Sequence, residues 1–383
     1  MKKITLSIIS FFLILISLII FYLTIFGYET NKFNVLLEKK IISYLANTQI
    51  KIDKIKIKIN IKNLSFFVTT VNPNIRYYSS EVNINKIDAY FDLKSLIIGK
   101  PELKKVNIVS NEIEIKEVKS FVKYLKPSNF KKFLLNDVEK GVMTLKLDLH
   151  LKNNKIENYE INGYVKNFFA RMQDLYLTKS SFIYLIKKDF GEINNLRGLV
   201  NGFQINSGDL EINNSKILSI KGNLNSILNL SKSNLDNLIK SEFLGSLEDL
   251  KLSGKIQSLF KIEFDKTLKI INYNFEASGD IKKSEIKFKK PTKYLFVENK
   301  IKNLNLEKSD FNFKLEKKSK NSFNIDGYYK INNNSLQKFN FEHLNNPNSQ
   351  KFIIDGDLNA EIDIPILNYN SKLFTSVSFF FNP

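Results

Sequence analysis

From Ile50 to Lys62 the chain reads IKIDKIKIKINIK, in which isoleucine alternates with polar residues, chiefly lysine. A period of two sends successive side chains to opposite faces of a strand. Ile55, Ile57, Ile59 and Ile61 therefore share one face, with the lysines on the other. The same period recurs in Val82 and Ile84 and, after a one-residue slip at Lys86, in Ile87, Ala89, Phe91 and Leu93. The slip predicts a bulge or a strand break. Further runs are Leu145, Leu147, Leu149 and Leu151; Phe260, Ile262 and Phe264; Phe311, Phe313 and Leu315; and Leu358, Ala360, Ile362 and Ile364. Turn signals such as KNNK, INNNS and NNPNS stand between runs. One wet face per strand predicts antiparallel sheet, because parallel strands covered on both faces read as continuous apolar runs.

Four stretches depart from that period. Ile4 to Phe26 carries no charge and follows Lys2 and Lys3; as a helix it spans about 35 Å, enough for a bilayer core. It ends in LTIFGYET, without the small residues of a signal-peptidase site, so an uncleaved, single-pass anchor with a cytoplasmic N-terminus is expected. Phe33, Leu36, Leu37, Ile41, Tyr44 and Leu45 recur at helical spacing and predict an amphipathic helix. A helical insertion broken by Pro127 and a helical segment near 227–244, with Leu228, Leu235, Leu238 and Ile239 as its stripe, complete the set. The expected organisation is residues 1–27 as tip and anchor, 28–47 as amphipathic helix, 48–116 as a first β region, 117–138 as helical insertion, and 139–383 as repeated strands. The repeat is an apolar-polar-Gly-polar-apolar phrase around Gly163, Gly222, Gly254, Gly279, Gly327 and Gly356.

Charge changes this picture little. The formal net charge is +19, but only Arg76, Arg171 and Arg197 are arginines. Bidentate phosphate and guanine contacts are mostly an arginine task, and the lysines are spread at strand-face spacing, so no nucleic-acid partner is expected. Anionic lipid headgroups remain open as partners. With no cysteine, disulfides, thiol nucleophiles and thiolate metal sites are excluded. Of the two histidines, His150 falls on the polar side of LKLDLHLK and His343 in the loop-like EHLNNPN. Neither has the spacing of a catalytic or ligand pair, and no phosphate loop, dinucleotide fingerprint or HExxH occurs. Asp355, Asp357, Glu361 and Asp363 form the most acidic cluster, three of them alternating with Leu358, Ala360 and Ile362 as the wet face of a strand. The expectation is a protein that is not an enzyme and takes no cofactor.

The order of parts carries a resemblance. A short basic tip, an anchor, an amphipathic helix, the pair IKIDKIKIKINIKNLSFFV and then INKIDAYFDLKSLIIGKPELKKVNIVSNEIEI resemble the opening of AsmA-like proteins of Gram-negative envelopes. Ile87 to Ile108 fits the family's phrase after the first hairpin, and the later glycine units are similar to its repeats. The resemblance covers residues 1–115 well and the rest by pattern. It implies a mainly β fold: a transmembrane helix, then an elongated, curved antiparallel sheet forming a groove or half-pipe, with few short amphipathic helices. It also implies a protein of the inner membrane, its bulk in the periplasm, that binds or conducts phospholipid and serves outer-membrane homeostasis, with envelope proteins as further partners. Ile55, Ile57, Ile59, Ile61, Phe91, Leu145, Leu147, Leu149 and Ile262 would then line the groove. The same alternation suits a filled β core, which would make the protein a structural or assembly factor for outer-membrane protein biogenesis.

Overall fold

A computed structural model describes residues 2–356 except 33, 36–37, 40–41, 43–47, 62–64, 72, 79, 93, 96–97, 99–101, 125–126, 128, 153–154, 173–174, 215–216, 237–241, 266, 268, 295–296, 318–320 and 347–348; after residue 356 it describes 362–364 and 369–371. The described residues are mainly β, a large antiparallel sheet of 21 strands with few short helices. It divides into two compact units, one of Met1–Phe168 with Ile183–Lys188, the other of Phe169–Phe182 with Asp189–Pro383.

The first unit begins with helix α1, Lys2–Ile25. Its side chains are described from Ser10 onward, a stretch of about 24 Å at 1.5 Å per residue. Among the described residues no helix is long and apolar enough to cross a membrane. Gly27, at φ +73°, ends the helix, and a side chain there would collide with the Ile57 carbonyl. The chain turns straight into β1, Tyr28–Thr30, which pairs with β3, Lys54–Asn60. Residues 28–30, expected at the start of the amphipathic helix, are thus an edge strand. Of that helix, Asn34, Val35, Glu38, Lys39 and Ile42 are helical, and its apolar stripe lies outside the described residues.

The lysine–isoleucine run also proves to be two strands. β2, Thr48–Lys51, pairs with β5, Asn74–Tyr77, whereas β3 pairs with β4, Ser65–Val71. At the break, Asn34 donates to the carbonyls of Ile52 and Asp53 at 2.6 and 2.9 Å, and the Ile52 N–H donates to Glu38 at 2.8 Å. Those bonds satisfy backbone groups that leave the ladder. β6, Ser80–Asp92, pairs with β4 and β5 on one side and with β7, Leu103–Ser110, on the other; its register shifts between Ile84 and Lys86, at the predicted slip. β8, Ile113–Glu114, leads into α2, Ile115–Val122, and α3, Asn129–Asn136, which flank Pro127. β9, Val138–Met143, β10, Lys146–Lys152, and β11, Lys155–Met172, follow.

β11 and β12, Leu175–Lys187, are divided between the units, a boundary the sequence pattern does not mark. The second unit continues with β13, Phe190–Val200, β14, Phe203–Asn213, and β15, Leu218–Ser231. The helical segment expected near 227–244 shrinks to α4, Lys232–Asp236, and α5, Glu242–Ser246. Ile227–Ser231 stay in β15 because Leu228 and Leu230 keep the period of two against Gly254 and Leu252. Long antiparallel strands complete the unit: β16, Leu247–Phe264, β17, Ile270–Tyr294, β18, Val297–Glu316, β19, Asn321–Ile331, β20, Gln337–Asn346, and β21, Ser349–Gly356. β22, Ile362–Ile364, and β23, Tyr369–Ser371, form a separate pair.

Candidate functional site

Register places the isoleucines of β3 at the head of cross-strand rows. Ile57 faces Val68, Val68 faces Ala89, Ala89 faces Val106, Val106 faces Leu149 and Leu149 faces Tyr159. A second row runs Ile55, Thr70, Ile87, Ile108, Leu147 and Ile161; a third begins Ile59, Phe66, Phe91 and Leu103. One face of six strands is therefore largely apolar, and the Thr70 hydroxyl within it accepts the Ile87 N–H at 3.1 Å.

Burial is uneven across this face. Ile55 is 1% exposed, closed over by Ile50 and Ile52, with Val68, Ile75 and Ile87 packed against the cluster. Away from that end Ile57, Ile59, Phe66, Phe91, Val106, Ile108, Leu147 and Leu149 are only half-buried. In a sandwich, a second sheet about 10 Å away would take such residues out of water. An apolar face whose side chains stay partly accessible is a surface able to take a ligand.

The opposite face is polar. Lys56, Thr69, Asp88, Asn107, Asp148 and Glu160 form one row. Thr69 donates to Asp88 at 2.7 Å and Lys86 pairs with it at 3.0 Å. Asn107 donates a short hydrogen bond to Asp148, which Lys105 also meets at 3.1 Å. Burial alone would raise the Asp148 pKa; the Asn107 amide and the Lys105 ammonium outweigh it and hold the carboxyl below its ordinary value. In Tyr90, whose ring stacks on Phe67 at 5.1 Å, burial and then Asp88 and Asp148 push the phenol up.

A depressed folded pKa gives stability that is present above the unfolded carboxyl pKa, about 4, and lost as pH falls through the folded value. Asp148→Asn should therefore cost the folded protein about 1–2 kcal/mol at pH 7, a difference that shrinks below about pH 4. Denaturant unfolding of both proteins at pH 7 and pH 3 checks this.

In the second unit the rows are aromatic. Ile193, Leu210, Gly222, Phe260, Phe275 and Leu315 succeed one another, as do Ile256, Gly279, Phe311, Ile325 and Phe341. At Gly222 a Cβ would lie 2.2 Å from the Phe260 ring, so the glycine leaves the ring its place on the face. Phe260, Ile262, Phe275, Phe311, Phe313 and Phe341 are half-buried. One end is closed by a core of Leu244, Leu247, Leu250, Phe288 and Ile301, with Leu235 of α4 against it. On the polar face Asp280, Asp310 and Asp326 stand in register. Among the described residues no three His, Cys, Asp or Glu side chains are grouped to hold a metal ion. Of the acidic cluster, Asp355 opposes Asn340, Asp363 lies in β22, and Asp357 and Glu361 fall outside the described residues. His343 sits within β20 opposite Phe323, not in a loop.

The expected site residues thus separate into four groups. Ile57, Ile59, Phe91, Leu147 and Leu149 share the half-buried face of the first unit, and Leu145 adjoins it, its backbone tied to Ser110 in both directions at 2.8 Å. Ile262 belongs to the aromatic face of the second unit. Ile55 belongs to a closed core, and Ile61 stands past the end of β3, 53% exposed. Phe66 and Val68 escape the sequence reading because SFFVTTV is nearly continuous in apolar residues, which hides the outward turn of Phe67. No protein-family profile, curated protein or solved structure matches the chain.

Proposed function

We propose that this is an AsmA-like envelope protein, anchored in the inner membrane by α1, whose apolar sheet faces bind or conduct phospholipid by their acyl chains without chemical turnover. The anchor reading rests on the uncharged sequence Ile4–Phe26 behind Lys2 and Lys3. The observation that carries the lipid reading is the half-buried apolar face of the first unit, which runs over β3, β4, β6, β7, β10 and β11 and is closed over around Ile55. Acyl chains would gain about 25 cal/mol per Å² of apolar surface covered, with no demand for headgroup chemistry at that face. Each face would act as a groove, with its polar side toward the periplasm.

Native mass spectrometry of the detergent-extracted full chain tests this. Phospholipid adducts that survive extraction are expected. A folded protein that carries no lipid, even after addition of phospholipid, would favour the filled-core assembly factor instead.

A further inference from the structure

We propose that the junction between α1 and β1 is a fixed joint, which keeps the head of the first unit's apolar face against the bilayer that holds α1 and so sets how fast lipid passes from that bilayer onto the face. This rests on the readings of α1 as an anchor and of the face as a lipid surface, and it names where that lipid enters.

The joint has no slack. Only Phe26 and Gly27 separate α1 from β1, and their backbone N–H groups both donate to the Tyr22 carbonyl, at 2.9 and 3.1 Å. Gly27 is left-handed, as glycines that close helices commonly are. α1 packs against β3, and the place a Cβ on Gly27 would take is already filled by the Ile57 carbonyl and the Lys58 side chain, 2.9 and 2.8 Å away. Glu29 pairs with Lys56 at 3.2 Å. Where the chain comes back, Asn34 and Glu38 are bonded to the backbone at Ile52 and Asp53, so β1 is held beyond both of its ends.

The joint leads onto the apolar face. Tyr28 stands opposite Ile57, which places it at the head of the row through Val68, Ala89, Val106 and Leu149. From Ile25 at the end of α1 to Tyr28 the chain can span no more than about 10 Å. Tyr22 and Tyr28, 52% and 49% exposed, bracket the helix end as tyrosines do at a membrane–water interface. A phospholipid leaving the bilayer beside α1 would therefore meet the half-buried face at Tyr28 and Ile57 with little of its chains in water. On a loose tether the same face would stand off from the bilayer, and acyl methylenes would have to cross water, which slows transfer.

A Gly-Ser-Gly-Ser-Gly-Ser linker inserted between Gly27 and Tyr28 removes the joint and leaves the face intact; the same linker between Asn31 and Lys32, past β1, is the control. Full-length wild type and both variants, extracted with their lipid, would be placed in vesicles of deuterated phosphatidylethanolamine and phosphatidylglycerol, and the exchange of bound lipid followed by native mass spectrometry. The Gly27–Tyr28 insertion is expected to exchange about tenfold more slowly, the factor for roughly two methylenes exposed in transit, and to reach the final occupancy of the wild type. The control should match the wild type in both. Exchange at the wild-type rate in the first variant, or equal slowing in the control, would overturn the joint. So would a fall in the first variant's final occupancy, because the junction would then be part of the face's fold and not a positioning element. Wild-type protein that never carries lipid would instead refute the lipid reading, and wild-type protein that does not float with the vesicles would refute the anchor; the joint falls with either.

Discussion

Ile55→Asp is expected to unfold the first unit, whereas Ile57→Asp, two residues along the same strand face, leaves it folded. Ile55 is 1% exposed inside the cluster with Ile50 and Ile52, and an aspartate there would be an unpaired buried charge. Its cost of several kcal/mol rivals the whole stability of a domain. Ile57 and Leu147 are half-buried, so a carboxylate at either can keep water. The Ile57→Asp and Leu147→Asp proteins should accumulate in membranes at near-normal levels with near-normal protease resistance, yet lose bound phospholipid. Ile55→Asp should be degraded. Loss of all three alike would mean that the face is filled by the protein itself.

The second large effect lies in the glycines of the repeat. A Cβ on Gly279 would stand 2.1 Å from the Lys255 carbonyl oxygen, and one on Gly254 would stand 2.0 Å from that of Asp280. These obstacles are backbone on the partnered strand and cannot rotate away. Gly279→Ala must push β16 and β17 apart and is expected to cost about 3 kcal/mol. Gly245 in α5 meets nothing within 4 Å of its would-be Cβ, so Gly245→Ala should instead be neutral or stabilise by up to about 1 kcal/mol. Thermal unfolding checks both: the midpoint of Gly279→Ala should fall steeply and that of Gly245→Ala should stay level or rise.

Strand faces were legible because a period of two survives wherever one side is wet. That is why the runs at Leu145–Leu151 and Phe260–Phe264, the bulge at Lys86 and the helical break at Pro127 could be read from the chain. What alternation cannot report is the partner. IKIDKIKIKINIK keeps one rhythm across a point where β2 leaves to pair with β5 and β3 stays with β4. Residues that plug the face and residues that line it therefore share one pattern. The helical stripe around Leu228 failed for a related reason, since a short apolar run satisfies both periods and its pairing with β16 decided the outcome. The division of β11 and β12 between two units is likewise set by long-range pairing, with no change of composition to mark it.

The central claim is that the apolar faces hold lipid and not each other. Photocrosslinking in living cells tests it most directly, with a benzophenone amino acid placed in turn at Ile57, Leu149 and Phe313 and, on the polar sides, at Lys56 and Asn312. The account predicts phospholipid adducts at the first three positions and none at the last two. Folded protein with no lipid adduct at Ile57, Leu149 or Phe313 would contradict it.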